Sequence, residues 1–414
     1  MLLRASVAVL MTLAPAVCSA GGPKDRPAPP EDNSPPAAKA GLSAPKAETT
    51  HVDPAHLAKA QRLINGGIGF LLSRPEADGG WSLGGGAQKP AATAMALKIL
   101  LQHPDFDANS PEVKKGFQVL LGYRRKDGGF YEPTGGFENY TTSLAVMALV
   151  AARDPKFNGV IREAVGYLKG RQIVPGSESP DGEVIGQDHP FRGGVSYGDG
   201  GRPDGSNAGM WAEAMHEAGE PADSEAMQNV LAFFSRLQNR SESNPLPWAA
   251  DGPNDGGFVY APAAPGDKTK GESKAGPGPG GRGLRSYGSL TYMGFKTLLY
   301  AGLTRDDPRV RAAYGWIRKY WRLDSNPNMP QTQSFQGLYY YYHAFAKALR
   351  AWGEPVITDV GGRKHNWRHE LIDALAKRVS RDGSWTNHAD RWHEGSPVLV
   401  TCYSVLALQE ALKK

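Results

Sequence analysis

A four-residue loop signature recurs along this chain, and each copy is followed by an apolar segment rich in small residues. The copies are DGGW at 78–81, DGGF at 127–130, DGGF at 255–258 and DGSW at 382–385. Their aspartates are 49, 128 and 127 residues apart, so each long gap is close to twice a unit of about 60 residues. Degenerate copies fill the two long gaps, GGVSYGDG at 193–200 and LDSNPN at 323–328. The sequence therefore predicts six repeats, each built from one pair of helices.

Each repeat contains two segments with helical periodicity, and the two differ in how their apolar residues are distributed. The first segment is amphipathic, with apolar side chains three and four residues apart, at 57–72, 113–123, 160–168, 226–237, 310–321 and 367–379. The second segment is apolar or small on nearly every side, at 91–101, 141–152, 208–218, 290–301, 335–349 and 398–412. A helix that is apolar all round must be buried all round. We therefore expect an all-α fold, an α6/α6 toroid in which six helical hairpins form a double-layered α/α barrel with the second helices inside.

The residue types of the loop signature have a mechanical explanation. Asp followed by two glycines favours a tight turn with positive φ. The aromatic residue that follows can pack between neighbouring repeats as a wedge. We therefore interpret the aspartates of these loops as structural and do not nominate them as catalytic acids.

The first 20 residues have the pattern of a cleaved signal peptide. Arg4 precedes an apolar stretch at 7–13, and small residues follow at 18–20. This pattern predicts export to the periplasm or the medium, and the apolar stretch is too short for an integral membrane span. Lipoprotein anchoring through Cys18 is the less favoured alternative, because Val17 is a poor match to the small residue usual there.

Composition sets the remaining boundaries. Residues 21–50 are rich in Pro and Ala and contain no aromatic residue, which predicts a disordered linker before a toroid domain at 51–414. A second segment rich in Gly, Pro and Lys, 261–283, is expected to be a disordered insertion within one repeat. The formal charge of +5 is spread along the chain without a run of like charges, so no nucleic-acid partner is expected.

The loops and the helices after them resemble a known family of repeats. DGGW, DGGF and DGSW, with helices such as NYTTSLAVMALVAA and TCYSVLALQEAL, are similar to the prenyltransferase and squalene-oxidase repeats of terpenoid cyclases and protein prenyltransferase β subunits. The resemblance extends from about residue 56 to 412. It implies a toroid whose central cavity, lined by the inner helices and their N-terminal ends, takes isoprenoid chains.

Two reactions known in that family require particular residues. Squalene and hopene cyclases use a DxDD acid motif, which does not occur in this sequence. Protein prenyltransferases hold zinc through Asp, Cys and His, and the matching positions here are Tyr287, Ser289 and Val400. We therefore expect no cofactor, no metal ligands and no obligate α subunit. If the chain is an enzyme, the resemblance implies a cyclase-like isomerase or lyase and not a zinc-dependent protein prenyltransferase.

The predicted cavity lining supplies the candidate ligand-binding residues. They are polar or aromatic and lie mostly on the inner helices: Asn139, Tyr140, Trp211, His216, Tyr287, Tyr292, Gln336, Tyr340, His343 and Tyr403. Aromatic faces can stabilise a carbocation or stack on a sugar. The competing interpretation of the histidines is ordinary core packing, and that of the run of tyrosines at 339–342 is packing with their hydroxyls bonded across helices.

The candidate catalytic residues are three acids. Glu213 is predicted in the middle of an inner helix, where a buried carboxylate needs either a role in a site or a compensating cation. Asp199 and Asp204 lie in a long loop, 186–211, predicted at the cavity rim. A second rim stretch, NHADRWHEGSP at 387–397, contains further His, Asp and Glu residues, including Glu394, but it lacks the spacing of a known zinc signature.

Two classes of function follow from these features. The first is an exported cyclase-like or prenyltransferase-like toroid that binds or transforms a small apolar, isoprenoid-like ligand. The second is a non-catalytic toroid that binds a glycan, a lipid or a protein outside the cytoplasm. Fold alone does not decide between them.

Overall fold

The computed structural model describes residues 51–413 except 181 and 199. The predicted signal peptide and the linker at 21–50 lie outside the described residues. Six amphipathic helices form an outer layer: α1 (Pro54–Leu72), α3 (Pro111–Gly122), α5 (Asn158–Gly170), α7 (Glu225–Ser235), α10 (Pro308–Lys319) and α12 (Trp367–Ala376). Six further helices form the inner layer: α2 (Lys89–Leu101), α4 (Glu138–Ala151), α6 (Gly205–Glu217), α9 (Gly288–Tyr300), α11 (Leu338–Trp352) and α13 (Pro397–Leu412).

Two smaller elements interrupt the alternation of outer and inner helices. A single helical turn, α8 (Pro247–Ala250), lies between α7 and α9. The strands β1 (Val356–Thr358) and β2 (Lys364–Asn366) form an antiparallel hairpin between α11 and α12, with Ile357 opposite His365.

The inner helices close into a ring. In order, α2, α4, α6, α9, α11 and α13 each contact the next, and α13 returns to contact α2. The first and last hairpins meet in addition through contacts of α1 with α12 and α13. The predicted all-α toroid of six hairpins is confirmed.

Burial follows the two-layer pattern. All residues of inner helix α2 from Pro90 to Leu100 are buried, whereas outer helix α3 buries only Val113, Gly116, Phe117 and Leu120. The helices that are apolar on every side therefore lie where they are covered on every side, as the sequence predicted.

The recurrent loops are held by recurrent hydrogen bonds. In the first copy, Asp78 Oδ1 accepts from the backbone N–H of Gly80 at 3.0 Å, and the N–H of Trp81 donates to Thr93 Oγ1 on the following inner helix at 2.9 Å. The indole of Trp81 donates to the Leu71 carbonyl at the end of the preceding outer helix. The same aspartate contact recurs in the other three signature loops, at Asp127, Asp255 and Asp382. These contacts give the loop aspartates a structural role at the junction of the two layers.

A glycine in positive φ brings each of several loops against the outer helix of the next repeat. A Cβ atom on Gly128 would lie 2.7 Å from the Glu163 carbonyl of α5, and one on Gly256 would lie 2.5 Å from the Ala312 carbonyl of α10. The last loop makes the same contact with the first helix, since a Cβ on Gly383 would lie 2.4 Å from the Gly66 carbonyl of α1. The contact that joins successive repeats therefore also closes the ring.

The segment at 261–283 differs from the expected disordered insertion. Ala261 pairs with Glu272 across a β-bridge, and both Ala261 and Ala263 are buried. Arg202 donates to the Glu272 carboxylate and to the Ala263 carbonyl, which ties the segment to the loop before α6. The Gly and Pro content of the segment predicts disorder because it does not register the contacts with Arg202, which lies about 60 residues away in the sequence.

The described part of the chain was also searched for membrane spans. None of its helices combines the length and the apolar character needed to cross a membrane.

Substitution of Gly383 tests ring closure through the last loop. Gly383→Ala should lower the free energy of unfolding by at least about 3 kcal/mol, because the added methyl group meets the α1 backbone and φ is +84°. Gly362→Ala is the matched control: φ there is +85° but a Cβ would meet no atom within 4 Å, so only about 1 kcal/mol of backbone strain is expected. Chemical denaturation of both variants measures the difference, and equal losses would contradict the closure contact.

Candidate functional site

A cavity of about 510 Å³ lies at the N-terminal ends of the inner helices. All six inner helices contribute to its wall or its mouth. Its lining residues are Leu83, Gln88, Ala91, Ala92, Met95, Gly136, Phe137, Tyr140, Tyr197, Ser206, Tyr260, Lys274, Tyr287, Ser289, Leu290, Gly337, Tyr340, Trp392, His393, Glu394, Leu399 and Tyr403. The volume is in the range of sites that enclose small organic molecules.

Tyrosine is the most frequent aromatic residue in this lining, and several of the rings contact one another. The hydroxyl oxygens of Tyr140 and Tyr403 are hydrogen-bonded at 2.9 Å, and the rings of Tyr340 and Tyr403 meet edge to face at 5.8 Å. Burial raises the pKa of Tyr140, Tyr340 and Tyr403. These side chains are therefore neutral near pH 7.

The mouth of the cavity is formed in part by a loop with unusual backbone geometry. Trp392 and His393 are consecutive residues with φ of +61° and +65°, a conformation that is strained for side chains of this size. Trp392 lines the cavity and is 38% exposed, and the Arg391 guanidinium lies 4.8 Å from its ring. On another part of the lining, the Lys274 ammonium lies 4.0 Å from the Tyr260 ring centroid.

Glu394 follows this strained pair, and among the described residues it is the one acid that lines the cavity. Its Oε1 accepts from the backbone N–H groups of Tyr339 and Tyr340 at 3.0 and 2.8 Å, and its Oε2 accepts from Asn387 Nδ2 at 2.6 Å. Glu394 thereby caps α11, whose own N-cap residue is Gly337 and offers no side chain. Burial raises the pKa of Glu394 to about 7 despite these donors, so a large fraction is protonated at neutral pH.

A buried cluster of charged side chains fills the ring below the cavity, toward the C-terminal ends of the inner helices. Its members come from five of the six inner helices: Lys98, Glu213, Glu217, Lys296, Lys347 and Glu410. Glu213 is fully buried, and its carboxylate oxygens lie 2.5 Å from Lys296 Nζ and 3.0 Å from Lys347 Nζ. Lys347 lies in addition 2.8 Å from Glu217 and 3.1 Å from Glu410. We call these six residues the ion cluster.

The charges of the ion cluster balance, which explains how they are tolerated inside the ring. Burial by itself would raise the pKa of Glu213, but Lys296 and Lys347 hold it well below the usual range. Glu213 is therefore ionised at neutral pH, and it does not line the cavity. Its surroundings suit a structural ion pair and do not suit a proton donor.

His343 lies between the tyrosines and the ion cluster. Its ring centroid is 5.7 Å from that of Tyr403, and its side chain is buried. Burial, reinforced by the nearby Lys347, lowers the pKa of His343 to about 4. The imidazole is therefore neutral near pH 7.

The structure brings together four of the ten predicted ligand-binding residues. Tyr140, Tyr287, Tyr340 and Tyr403 all line the cavity. Asn139 lies beside it and lines a smaller polar cleft with Glu138. Gln336 lies at the rim near Arg391.

The remaining predicted ligand-binding residues make contacts elsewhere in the helix layers, and His216 among them is exposed. The indole of Trp211 donates to the Leu168 carbonyl at 2.9 Å, and His216 stacks on Tyr300 with ring centroids 3.8 Å apart. Tyr292 packs against Tyr341 and Phe345 between α9 and α11. These residues and His343 lie outside the cavity lining.

Of the two aspartates predicted at the cavity rim, the structure describes Asp204 only. Asp199 lies outside the described residues. Asp204 is the N-cap of α6: its carboxylate accepts from the N–H groups of Ser206 and Asn207 and from the Asn207 amide. Burial raises the pKa of Asp204, but its side chain does not line the cavity.

Several lining residues were not among the predicted site residues. Tyr197 and Tyr260 lie in loops, two residues or more beyond the Gly-rich turns, and no periodicity indicates where such side chains point. Glu394 lies in the rim stretch at 387–397 but is not among the predicted catalytic acids, because nothing in the local sequence indicates that it caps a helix that begins about 55 residues earlier. The one sequence feature that could have indicated Tyr260 is its position two residues after the DGGF loop at 255–258.

No protein-family model matches the chain, and no curated protein matches it significantly. Solved structures of similar fold include type II terpene cyclase MstE from Scytonema. A variant of that enzyme in complex with merosterolic acid A is 15% identical, with a TM-score of 0.53 over 87% of this chain and 99% of that chain. A second variant, in complex with geranylgeranyl dihydroxybenzoate, is 13% identical with the same TM-score and coverage. At these identities the likeness establishes the terpene cyclase-like fold and leaves the reaction open.

Removal of a central lysine tests the ion cluster. Lys347→Met should lower the free energy of unfolding by about 3–5 kcal/mol, because it leaves buried carboxylates without their shared cation. Lys377→Met, at an exposed lysine, is the control and should change stability by less than about 0.5 kcal/mol. Denaturant titration measures both, and a tolerated Lys347→Met would mean that the cluster contributes little to ring stability.

The raised pKa of Glu394 predicts a pH-dependent difference in stability between the protein and its Glu394→Gln variant. Because the folded pKa of about 7 exceeds the ordinary glutamate pKa of 4.5, the stabilising contribution is complete below about pH 4.5 and is lost as pH rises through 7. Relative to Glu394→Gln, the unsubstituted protein should lose up to about 3 kcal/mol between about pH 5 and pH 8. Unfolding measured across this range checks the sign, and a constant difference between the two proteins would refute it.

Proposed function

We propose that the tyrosine-lined cavity binds a small apolar ligand of isoprenoid type, with Glu394 as the group that supplies a proton if the ligand is transformed. The observation that carries the proposal is the cavity itself: a chamber of about 510 Å³ with an aromatic and aliphatic wall, bounded below by helices and the ion cluster. Burying an apolar chain against such a wall contributes roughly 25 cal/mol for each Å² of apolar surface removed from water.

The distribution of charge supports an apolar body for the ligand. Lys274 and Glu394 are the residues of the described lining that belong to the Lys, Arg, Asp and Glu types, and most of the other lining residues are aromatic or aliphatic. Tyrosine rings next to such a chain offer their negative π faces to positive charge that develops along it. This arrangement suits both storage of an isoprenoid and its conversion through a cationic intermediate.

Glu394 has the properties required of a proton donor in this setting. It is the acidic residue of the lining, and burial holds its pKa near 7, where an acid can both donate and recover a proton efficiently. Proton transfer from Oε2 to an alkene carbon would leave a carboxylate on Glu394, which the N–H groups of Tyr339 and Tyr340 would stabilise. The carbocation would then return a proton to the Glu394 carboxylate to form a new alkene, or would be captured by water to form an alcohol whose excess proton passes to that carboxylate.

Non-catalytic binding is the second candidate function. It is favoured by the capping contacts of Glu394, since both of its oxygens already accept hydrogen bonds that hold α11. The absence of a DxDD motif from the sequence points in the same direction. A glycan, a lipid or a protein segment could then occupy the cavity without reaction.

We infer in addition that the protein is exported. The inference rests on Arg4, the apolar stretch at 7–13 and the small residues at 18–20. N-terminal sequencing of the mature protein from its host would test it, and a mature chain that retains residues 1–20 would contradict it.

Blocking the cavity tests the proposed function. Geranylgeraniol should bind the protein at one site and quench tryptophan fluorescence, and Leu399→Trp should abolish binding because a larger side chain in the first turn of α13 enters the cavity. Leu57→Trp, in the first turn of outer helix α1, is the matched control and should bind normally. Titration of the three proteins with geranylgeraniol, and separately with a soluble oligosaccharide, gives the comparison.

The outcomes separate the candidate functions. Binding of geranylgeraniol that survives Leu399→Trp would place the ligand elsewhere, and selective binding of the oligosaccharide would favour the glycan alternative. If geranylgeraniol or a related isoprenoid is converted, Glu394→Gln should abolish conversion while retaining binding. Unchanged conversion by that variant would remove Glu394 from the mechanism.

A further inference from the structure

Three side chains with metal-binding groups meet at the seam where the first and last hairpins join. They are Asp53 and His56 at the start of α1 and His369 on α12. One oxygen or nitrogen atom from each lies within 4.8 Å of the others, and all three side chains are partly exposed. Among the described residues, no other group of three or more His, Cys, Asp and Glu side chains has its potential ligand atoms this close together.

The geometry is centred on one carboxylate oxygen. Asp53 Oδ2 lies 2.8 Å from His56 Nδ1 and 3.7 Å from His369 Nδ1. A metal ion with bonds of about 2.0–2.2 Å holds its ligand atoms roughly 3.3–3.5 Å apart. Displacements of less than about 1 Å per side chain would therefore place a metal ion among these atoms, together with a rotation of the His369 ring out of its present stack on His56.

A further carboxylate supports this interpretation. Asp373 Oδ2 lies 3.4 Å from His56 Nε2, and its other oxygen pairs with Lys59 Nζ at 2.5 Å. A carboxylate on the far nitrogen of a histidine orients the ring and increases its basicity toward a metal ion. Asp373 thus directs the Nδ1 atom of His56 toward Asp53, while Lys59 keeps Asp373 out of the coordination sphere.

We propose that Asp53, His56 and His369 form a binding site for a divalent transition metal ion of the Zn²⁺, Co²⁺ or Ni²⁺ type. Two imidazoles and a carboxylate suit these ions, and water completes the coordination at this exposed position. On binding, the ion replaces the proton shared by His56 and Asp53, and water replaces the N–H···Nε2 contact from Asp53 to His369. The ion ties the beginning of α1 to α12 and so reinforces closure of the ring. This site differs from the sequence prediction, which gave no metal ligands, and it is independent of the cavity.

The test uses the untagged mature protein and Co²⁺, whose visible absorption reports the coordinating atoms. One equivalent of Co²⁺ should produce a ligand-field band, and Zn²⁺ should displace it and raise the thermal unfolding midpoint. Asp53→Asn retains the N-cap of α1 but removes the charged ligand, and His369→Gln retains a side chain that can accept from the Asp53 N–H. Each should weaken Co²⁺ affinity by about tenfold or more.

The matched control is His388→Gln, at an exposed histidine outside the seam. It should bind Co²⁺ as the unsubstituted protein does. Absorption is measured well below the unfolding midpoint, with circular dichroism in the presence of a chelator to confirm that each variant is folded. The proposal is overturned if the unsubstituted protein gives no band, or if Asp53→Asn and His369→Gln bind Co²⁺ with unchanged affinity.

Discussion

The inner helices of this toroid are buried because their ring closes, with α13 returning to contact α2. Six helices that are apolar on every side can be covered only if each has two inner neighbours and an outer layer, and the last must return to the first. The recurrent loops make this possible because a glycine such as Gly128 lets the loop backbone approach the next outer helix. Gly383 in the last loop lets the backbone approach α1 in the same way. The same loop contact therefore joins successive repeats and joins the last repeat to the first.

The centre of the closed ring is filled at one end and open at the other. Toward the C-terminal ends of the helices, the ion cluster fills it, with Lys347 shared among Glu213, Glu217 and Glu410. Toward the N-terminal ends, tyrosines and small aliphatic residues leave a cavity of about 510 Å³. One barrel therefore has a centre filled by ion pairs at one end and an aromatic and aliphatic chamber at the other. Glu394, the acid among the described lining residues, has a raised pKa because it is buried there.

The sequence predicted the fold well because its signals are local and repeated. Loop spacing gave the number of hairpins, and the contrast between amphipathic and all-round apolar helices gave the layers. The site was predicted less completely. Tyr140 and Tyr340 lie in the first turns of their helices and line the cavity. His216 is exposed in the last turn of α6, and Tyr292 packs between α9 and α11. The partners of Glu213 could not be read from the sequence, because the lysines that neutralise it come from other helices and become neighbours only when the ring closes.

The proposal that the cavity binds an isoprenoid-like ligand is tested by a crystal structure of the protein grown with geranylgeraniol. Continuous density for the ligand is expected between Tyr140, Tyr340 and Tyr403, with its hydroxyl end toward the mouth formed by Trp392 and His393. An empty cavity beside a chain bound elsewhere on the surface would contradict it.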